Sequence, residues 1–230
     1  WQRRQRLQQI PVAPSYWGLL VLAPSLAAQV LATQWSIGFA QGFALLGVVY
    51  GLVWICFGGA MLWAVRFPLL FLIFMVPLPG VLLIAVSFKM KLMAATLATW
   101  VMNLIGVAAE QAGSTIHVAA SAVPGQTMSR ISVIVDDTCS GLRSLISLIA
   151  LSTLWTALMP KAAWWQKLIV MAASVPIALA ANMVRILFLV LLSAIYGPGI
   201  AESILHYGSG VVMFGVAVLV LMWLSHSVQR

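Results

Sequence analysis

Residues 166–195 read QKLIVMAASVPIALAANMVRILFLVLLSAI, a long apolar run that contains Asn182 and Arg185 in its second half. A helix that crosses the hydrocarbon core of a membrane needs about 20 predominantly apolar residues, and this stretch exceeds that length. The whole chain is 63% hydrophobic and only 7% charged, which is typical of a protein embedded in a bilayer. These features exclude soluble fold classes and predict an all-α polytopic membrane protein.

The same length criterion finds further candidate helices along the chain. With the first run, they cover residues 16–34, 37–65, 92–112, 140–159, 166–195 and 207–226. The segment Phe67–Phe88 is also apolar, but Pro77-Leu78-Pro79-Gly80 interrupts it. Because proline removes helical hydrogen bonds, we predict a re-entrant pair of half-helices here, with one full spanning helix as the alternative. The expectation is about six full transmembrane helices plus this pair, or about eight membrane segments, in a single integral-membrane domain over residues 1–230.

Positive charge orients the predicted helices. The formal net charge is +8, and the basic residues lie between apolar spans, where the positive-inside rule assigns them to the cytoplasm. The flanking residues that this assignment places inside are Arg66, Lys89, Lys91, Lys161 and Lys167. The N-terminus is then cytoplasmic and the polar segment 113–139 lies on the outer face. We therefore expect membrane lipid, and no nucleic acid, as a partner.

The outer-face segment 113–139 contains two short alternating patterns. Residues 115–119 and 130–133 alternate polar and apolar side chains, and Pro124-Gly125 supplies a turn signal between them. We predict a small β-hairpin-like element on the outer face, which leads into Cys139.

Cys139 begins the helix that follows this segment. A helix N-terminus stabilises a thiolate, and the unpaired N–H groups of Ser140 and Gly141 are available in the first turn. Cys56 lies within an apolar span and is interpreted as an inert small residue. No metal-ligand spacing is present, so we expect neither a metal nor another cofactor.

Arg185 and His206 supply the partners that a reactive thiol needs. An arginine in an apolar run costs on the order of a few kcal/mol, which favours a functional role such as stabilising an oxyanion. Asn182 lies one helical turn before Arg185 and is placed to orient it or the substrate. His206 opens the last apolar helix and is suited to proton transfer, with Glu202 four residues earlier as a possible orienting group.

Three motifs carry a family resemblance. Cys139-Ser140-Gly141-Leu142-Arg143, Asn182-Met183-Val184-Arg185-Ile186 and His206-Tyr207-Gly208-Ser209-Gly210 resemble, in this order, motifs of the exosortase/archaeosortase family of integral-membrane cysteine transpeptidases. The resemblance implies that Cys139 is the nucleophile and that Arg185 and His206 complete the catalytic site. Substrate-binding or supporting roles then fall on Asn182, Ser140, Gly141, Arg143 and Glu202.

The resemblance also implies a substrate class. Such enzymes act on exported proteins with a C-terminal tripartite sorting signal of the PEP-CTERM type, which is a short motif such as Pro-Glu-Pro, a transmembrane helix and a basic cluster. The expected reaction passes through a thioester and transfers the new C-terminus to an acceptor amine. The expected location is the cell (inner) membrane, with the active site at the periplasmic or extracellular face.

Other functions stay open at this point. A transporter or channel subunit would use Arg185 to bind an anionic solute but would give Cys139 no task. A hydrolase that only removes the sorting signal would use the same three residues. A protein that scaffolds polysaccharide export would retain them without using them.

Overall fold

A computed structural model describes residues 8–119, 130–134, 141–159, 162–196 and 204–229. In chain order, its α-helices are α1 (Leu19–Gln34), α2 (Gly38–Ala64), α3 (Arg66–Phe71), α4 (Gly80–Leu104), α5 (Leu142–Ala157), α6 (Trp164–Tyr196) and α7 (Ile204–Gln229). Short 3-10 turns precede α1 and follow α3, at Tyr16–Gly18 and Leu72–Met75. Three strands lie between α4 and α5, namely β1 (Ala109–Ala112), β2 (Thr115–Ala119) and β3 (Arg130–Ile134).

Within the described residues, five helices are long and apolar enough to cross a membrane. They are Tyr16–Gln34, Gly38–Ala64, Gly80–Leu104, Trp164–Leu192 and Gly208–Val228. Two further apolar helices, Arg66–Met75 and Leu142–Ala157, are shorter. Large apolar side chains such as Val81 and Val211 are exposed, as a lipid solvent favours. The all-α polytopic membrane class is confirmed, while the count of eight segments and the single domain stay predictions.

The chain divides into two compact units, residues 1–82 and 83–230. In the first unit, α1 and α2 pack closely because Gly51 has no side chain: a Cβ there would lie 2.8 Å from the Cβ of Leu22. Small residues at such contacts are usual between membrane helices. The predicted break at Pro77 is present, since the helical segment Arg66–Met75 ends at Val76, which is extended as residues before proline prefer.

Helix α4 corrects the prediction for residues 67–112. The expected second half-helix ending near Phe88 and the separate helix over 92–112 are one continuous helix from Gly80 to Leu104. Lys89 and Lys91 lie within it rather than between two membrane segments. The physical reason is that lysine is a good helix former, so charge alone does not end a helix when no proline or glycine follows.

The true end of α4 is set by Gly106, which has a φ of +84°. The Val107 N–H donates to the carbonyl of Met102 at 2.9 Å, as in a helix closed by a left-handed residue. The Asn103 side chain then holds the start of β1, donating to the Ala109 carbonyl at 3.0 Å and accepting from the Ala109 N–H at 2.9 Å. The last four residues of the helix predicted over 92–112 therefore form strand β1.

The three strands form one antiparallel sheet in the order β1-β2-β3. Strands β2 and β3 lie where the alternating patterns predicted them, whereas β1 was not predicted; the turn predicted at Pro124-Gly125 lies outside the described residues. Ile116 and Val118 are fully buried, in one apolar cluster with Met102 of α4 and Val190 of α6. The opposite face carries His117, whose Nδ1 lies 2.9 Å from Ser132 Oγ.

Helices α5, α6 and α7 pack together in the second unit. Their shared core includes Leu148, Val170, Ala178, Ala217 and Leu221. Trp155 Nε1 donates to Ser225 Oγ at 2.9 Å and thereby joins the C-terminal parts of α5 and α7. Gln166 Nε2 donates to the Val228 carbonyl at 2.6 Å and joins the first turn of α6 to α7. The opposite end of the three-helix bundle is where the sequence motifs meet.

Candidate active site

The first motif meets the second at Gly141. This residue is the N-cap of α5, with a φ of +72°, a conformation that glycine adopts without strain. A Cβ at Gly141 would lie less than 3.0 Å from Cγ, Nδ2 and Oδ1 of Asn182. The side chain of Asn182 is only 6% exposed. Glycine is therefore needed at this position for two reasons. It adopts the left-handed backbone conformation without strain, and it leaves the space that the Asn182 carboxamide occupies.

The third motif meets the second at Gly210. This glycine lies in the second turn of α7, and a Cβ there would be 3.3 Å from Nη1 of Arg185. The guanidinium thus lies directly over the backbone of α7. The structure brings parts of all three motifs together within one unit.

Ser144 belongs to the same group of residues and was not predicted. Its Oγ donates to the Gly141 carbonyl at 2.8 Å, and the Leu145 N–H donates to the same carbonyl at 2.9 Å. Both bonds stabilise the first turn of α5. The sequence contained a signal for this residue, since Ser144 lies one turn after Ser140 on the helix that Cys139 was predicted to begin.

A cavity of about 20 Å³ lies between α5, α6 and α7. Its polar lining consists of Ser144, Asn182 and Arg185, next to the backbone of Gly210. The rest of its lining is apolar and comprises Leu148, Ala178, Ala181, Met213, Phe214 and Ala217. Leu148, Met213, Phe214 and Ala217 lie one or two turns after Ser144 and Gly210 on α5 and α7. On α6, which contributes Ala178 and Ala181, the apolar residues precede Asn182. The cavity thus has a polar, cationic end, formed by Ser144, Asn182 and Arg185, and an apolar remainder.

Helix α6 can serve this cavity and the sheet because it presents two faces. Ala178, Asn182 and Arg185 recur at three- and four-residue spacing and line the cavity. Ile186 and Val190 are 3% and 1% exposed and pack in the cluster that includes the sheet. The sheet and the candidate site are therefore held by the same segment of one helix.

The other predicted site residues are distributed as follows. Cys139, Ser140 and Glu202 lie outside the described residues. His206 lies within α7, one helical turn before Gly210, and its side chain is outside the described part. Arg143 is described and is exposed on α5, and it is not among the residues that line the cavity. The supporting role predicted for Arg143 stays a prediction, since Cys139 and Ser140, which it would support, lie outside the described residues.

The fold and this site define a polytopic membrane protein with an amide and a guanidinium gathered around one cavity among helices. A protein-family model described as transmembrane exosortase matches residues 1–223. The chain belongs to the transmembrane exosortase family, and that membership supports a membrane transpeptidase in general. The same comparisons found no match among curated proteins or among solved structures.

The contact between Gly141 and Asn182 predicts how alanine substitution changes stability. Gly113→Ala is the matched control, because Gly113 has a φ of +65° and nothing lies within 4 Å of a Cβ there. We expect about 1 kcal/mol of destabilisation from backbone strain in Gly113→Ala. Gly141→Ala should cost about 1–3 kcal/mol more, because its Cβ overlaps the Asn182 carboxamide.

The measurement is the melting temperature of each purified variant in detergent. Gly141→Ala should melt at a clearly lower temperature than Gly113→Ala. Equal melting temperatures would contradict the close packing of Gly141 on Asn182.

Proposed function

We propose that this protein is a membrane-embedded cysteine transpeptidase that cleaves the C-terminal sorting signal of exported proteins and transfers the new C-terminus to an acceptor amine. The observation that carries the proposal is the meeting of the three motifs, in which Gly141 packs on Asn182 and Gly210 packs on Arg185. A thiol, a guanidinium and an imidazole are suitable groups for acyl transfer. Membership in the transmembrane exosortase family supports the same reaction class.

Covalent geometry supports the assignment of Cys139 as the nucleophile. Cys139 precedes Gly141 by two residues, and one residue extends the chain by at most about 3.6 Å. The Cα of Cys139 is therefore within about 7 Å of the Cα of Gly141, which lies against Asn182. His206 lies one turn before Gly210 in α7, and Gly210 lies against Arg185. These connections support a site in which Cys139, Arg185 and His206 act together.

The proposed reaction has two stages. In the first, His206 takes the thiol proton, the Cys139 thiolate attacks a backbone carbonyl carbon of the sorting signal, and Arg185 stabilises the oxyanion. The imidazolium then protonates the leaving nitrogen as the C–N bond breaks, which releases the C-terminal helix of the cargo and leaves a thioester. In the second stage, an acceptor amine attacks the thioester, an amide forms and the thiol is released. If water takes the place of the amine, the product is a free acid.

The length of α6 supports a site at the outer boundary of the membrane. From Trp164 to Arg185 the helix measures about 32 Å at about 1.5 Å per residue, close to the roughly 30 Å of the hydrocarbon core. Lys167 and the exposed Trp164 suit the cytoplasmic interface. Arg185 then lies at the outer boundary, and the sheet packed on Val190 lies beyond it. This arrangement supports a site at which an exported cargo, held by its own transmembrane helix, is available.

Replacing the thiol tests the proposed nucleophile. A model cargo that ends in a Pro-Glu-Pro motif, a transmembrane helix and a basic cluster is co-expressed with wild type or with Cys139→Ala. We expect wild type to remove the C-terminal helix and Cys139→Ala to leave the cargo intact, because no thioester can form without the thiol. The intact mass of the cargo is measured. Cargo processed equally by both would exclude Cys139 from the mechanism, and the mass of the new C-terminus distinguishes transfer from hydrolysis.

A conservative substitution tests the role of Arg185. Arg185→Lys keeps the charge but loses the planar pair of donors, so processing should fall by about 100-fold. Arg66→Lys is the matched control, because Arg66 is exposed and lies outside the three motifs. The processing rates of the two variants are compared at equal protein levels. Equal rates would argue against a directional interaction of the guanidinium with the reacting carbonyl.

The contact between Gly210 and Arg185 makes a further prediction. Gly210→Ala requires the guanidinium to shift by a few tenths of an ångström, because its Cβ would lie 3.3 Å from Nη1. We expect processing to fall by about tenfold, since small displacements of a catalytic group are costly. Gly215→Ala on the same helix is the control, because its Cβ would meet nothing within 4 Å.

Both alanines favour the helix, so neither variant should lose thermal stability through helix propensity. A fall in processing by Gly210→Ala, with an unchanged melting temperature and normal processing by Gly215→Ala, would therefore reflect the position of Arg185. Normal processing by Gly210→Ala would show that this position is not critical.

A further inference from the structure

The cavity beneath Arg185 has a size that restricts what can enter it. Its volume is about 20 Å³, and a single water molecule needs about 10–15 Å³ measured in the same way. The space therefore accommodates a group of one or two heavy atoms. An aromatic ring or a branched four-carbon side chain is larger than this space.

The chemistry of the cavity restricts its occupant further. Apart from the polar end, its walls are formed by apolar side chains such as Ala181, Met213 and Phe214. Burying a charged group against such walls is unfavourable unless the charge is paired, whereas a methyl group is stabilised there. The interior is therefore suited to a small, uncharged side chain.

The position of the cavity relates it to the reacting carbonyl. Arg185 lines the polar end of the cavity, and the proposed mechanism holds the carbonyl oxygen of the cleaved peptide bond at its guanidinium. The Cβ of the residue that contributes this carbonyl is two bonds from the carbonyl carbon, at about 2.5 Å. A carbonyl held at the guanidinium of Arg185 therefore places that side chain next to the cavity.

We infer that this cavity binds the side chain of the cargo residue whose carbonyl is attacked, and that it selects small residues such as glycine, alanine and serine at that position. The inference rests on the proposed function and adds a substrate preference to it. Ala181 and Phe214 are the specificity-determining residues. A residue larger than alanine at position 181 fills the cavity, and a residue smaller than phenylalanine at position 214 enlarges it.

The test uses the model cargo in a series. The intact mass of cargo processed by wild type identifies the residue at the new C-terminus, and that residue is then replaced by glycine, alanine or leucine. Wild type should process the alanine cargo at least about tenfold faster than the leucine cargo, because excess volume in a rigid pocket is strongly disfavoured.

Two enzyme variants then change the cavity in opposite directions. Ala181→Val should lower the ratio of alanine-cargo to glycine-cargo processing by about tenfold, because the added methyl groups occupy the space. Ala180→Val is the matched control, since Ala180 is exposed on the same helix, and its ratio should equal that of wild type. Phe214→Ala should raise the ratio of leucine-cargo to alanine-cargo processing by about tenfold.

Each ratio compares two cargoes within one enzyme, so a lower yield of folded protein does not alter it. If one of the two cavity variants is inactive, the cargo ratio of the other variant tests the inference. Ratios that match wild type in the active cavity variants would overturn the inference. Failure of the proposed function is a different result, since wild type and Cys139→Ala would then treat every cargo alike.

Discussion

The contact between the Asn182 carboxamide and the backbone of Gly141 is the constraint on which the candidate site depends. An amide side chain that is 6% exposed in a membrane protein occupies an unfavourable environment unless polar groups surround it. The backbone of Gly141 lies directly against this carboxamide, since a Cβ there would be less than 3.0 Å from its Cγ, Nδ2 and Oδ1. The contact ties the start of α5 to the middle of α6. The position of Cys139, two residues before Gly141, is thereby linked to the position of Arg185, one turn after Asn182.

Helix α6 integrates the second unit because its two faces have different partners. Arg185 faces the cavity and the backbone of α7, whereas Ile186, the next residue, packs in the cluster that includes the sheet. A shift of α6 to accommodate a change on one face would disturb the other, since packed interiors transmit strain. This coupling explains why small residues occur where the motifs meet. Gly141 and Gly210 allow close approach, and Ala178 and Ala181 leave the cavity open.

The continuous helix α4 changes which charges orient the chain in the membrane. Lys89 and Lys91 lie within this helix and do not mark the end of a membrane segment. The predicted orientation then rests on Arg66 and Lys167, which lie in the first turns of α3 and α6, and on Lys161. The orientation predicted from charge therefore has two fewer markers, and the side of the sheet and of the site stays a prediction.

The sequence by itself determined the membrane class, the break at Pro77, strands β2 and β3, and the three motifs. It could do so because apolar length, proline and alternation are local properties that the neighbouring residues alone encode. Only the tertiary structure decided that α4 runs through Lys91 and that Ser144 and Phe214 line the cavity. These facts depend on which helix faces pack together, and that packing is determined by residues that are far apart in the chain. The need for glycine at Gly141 has the same origin, because the side chain that fills its space belongs to another helix.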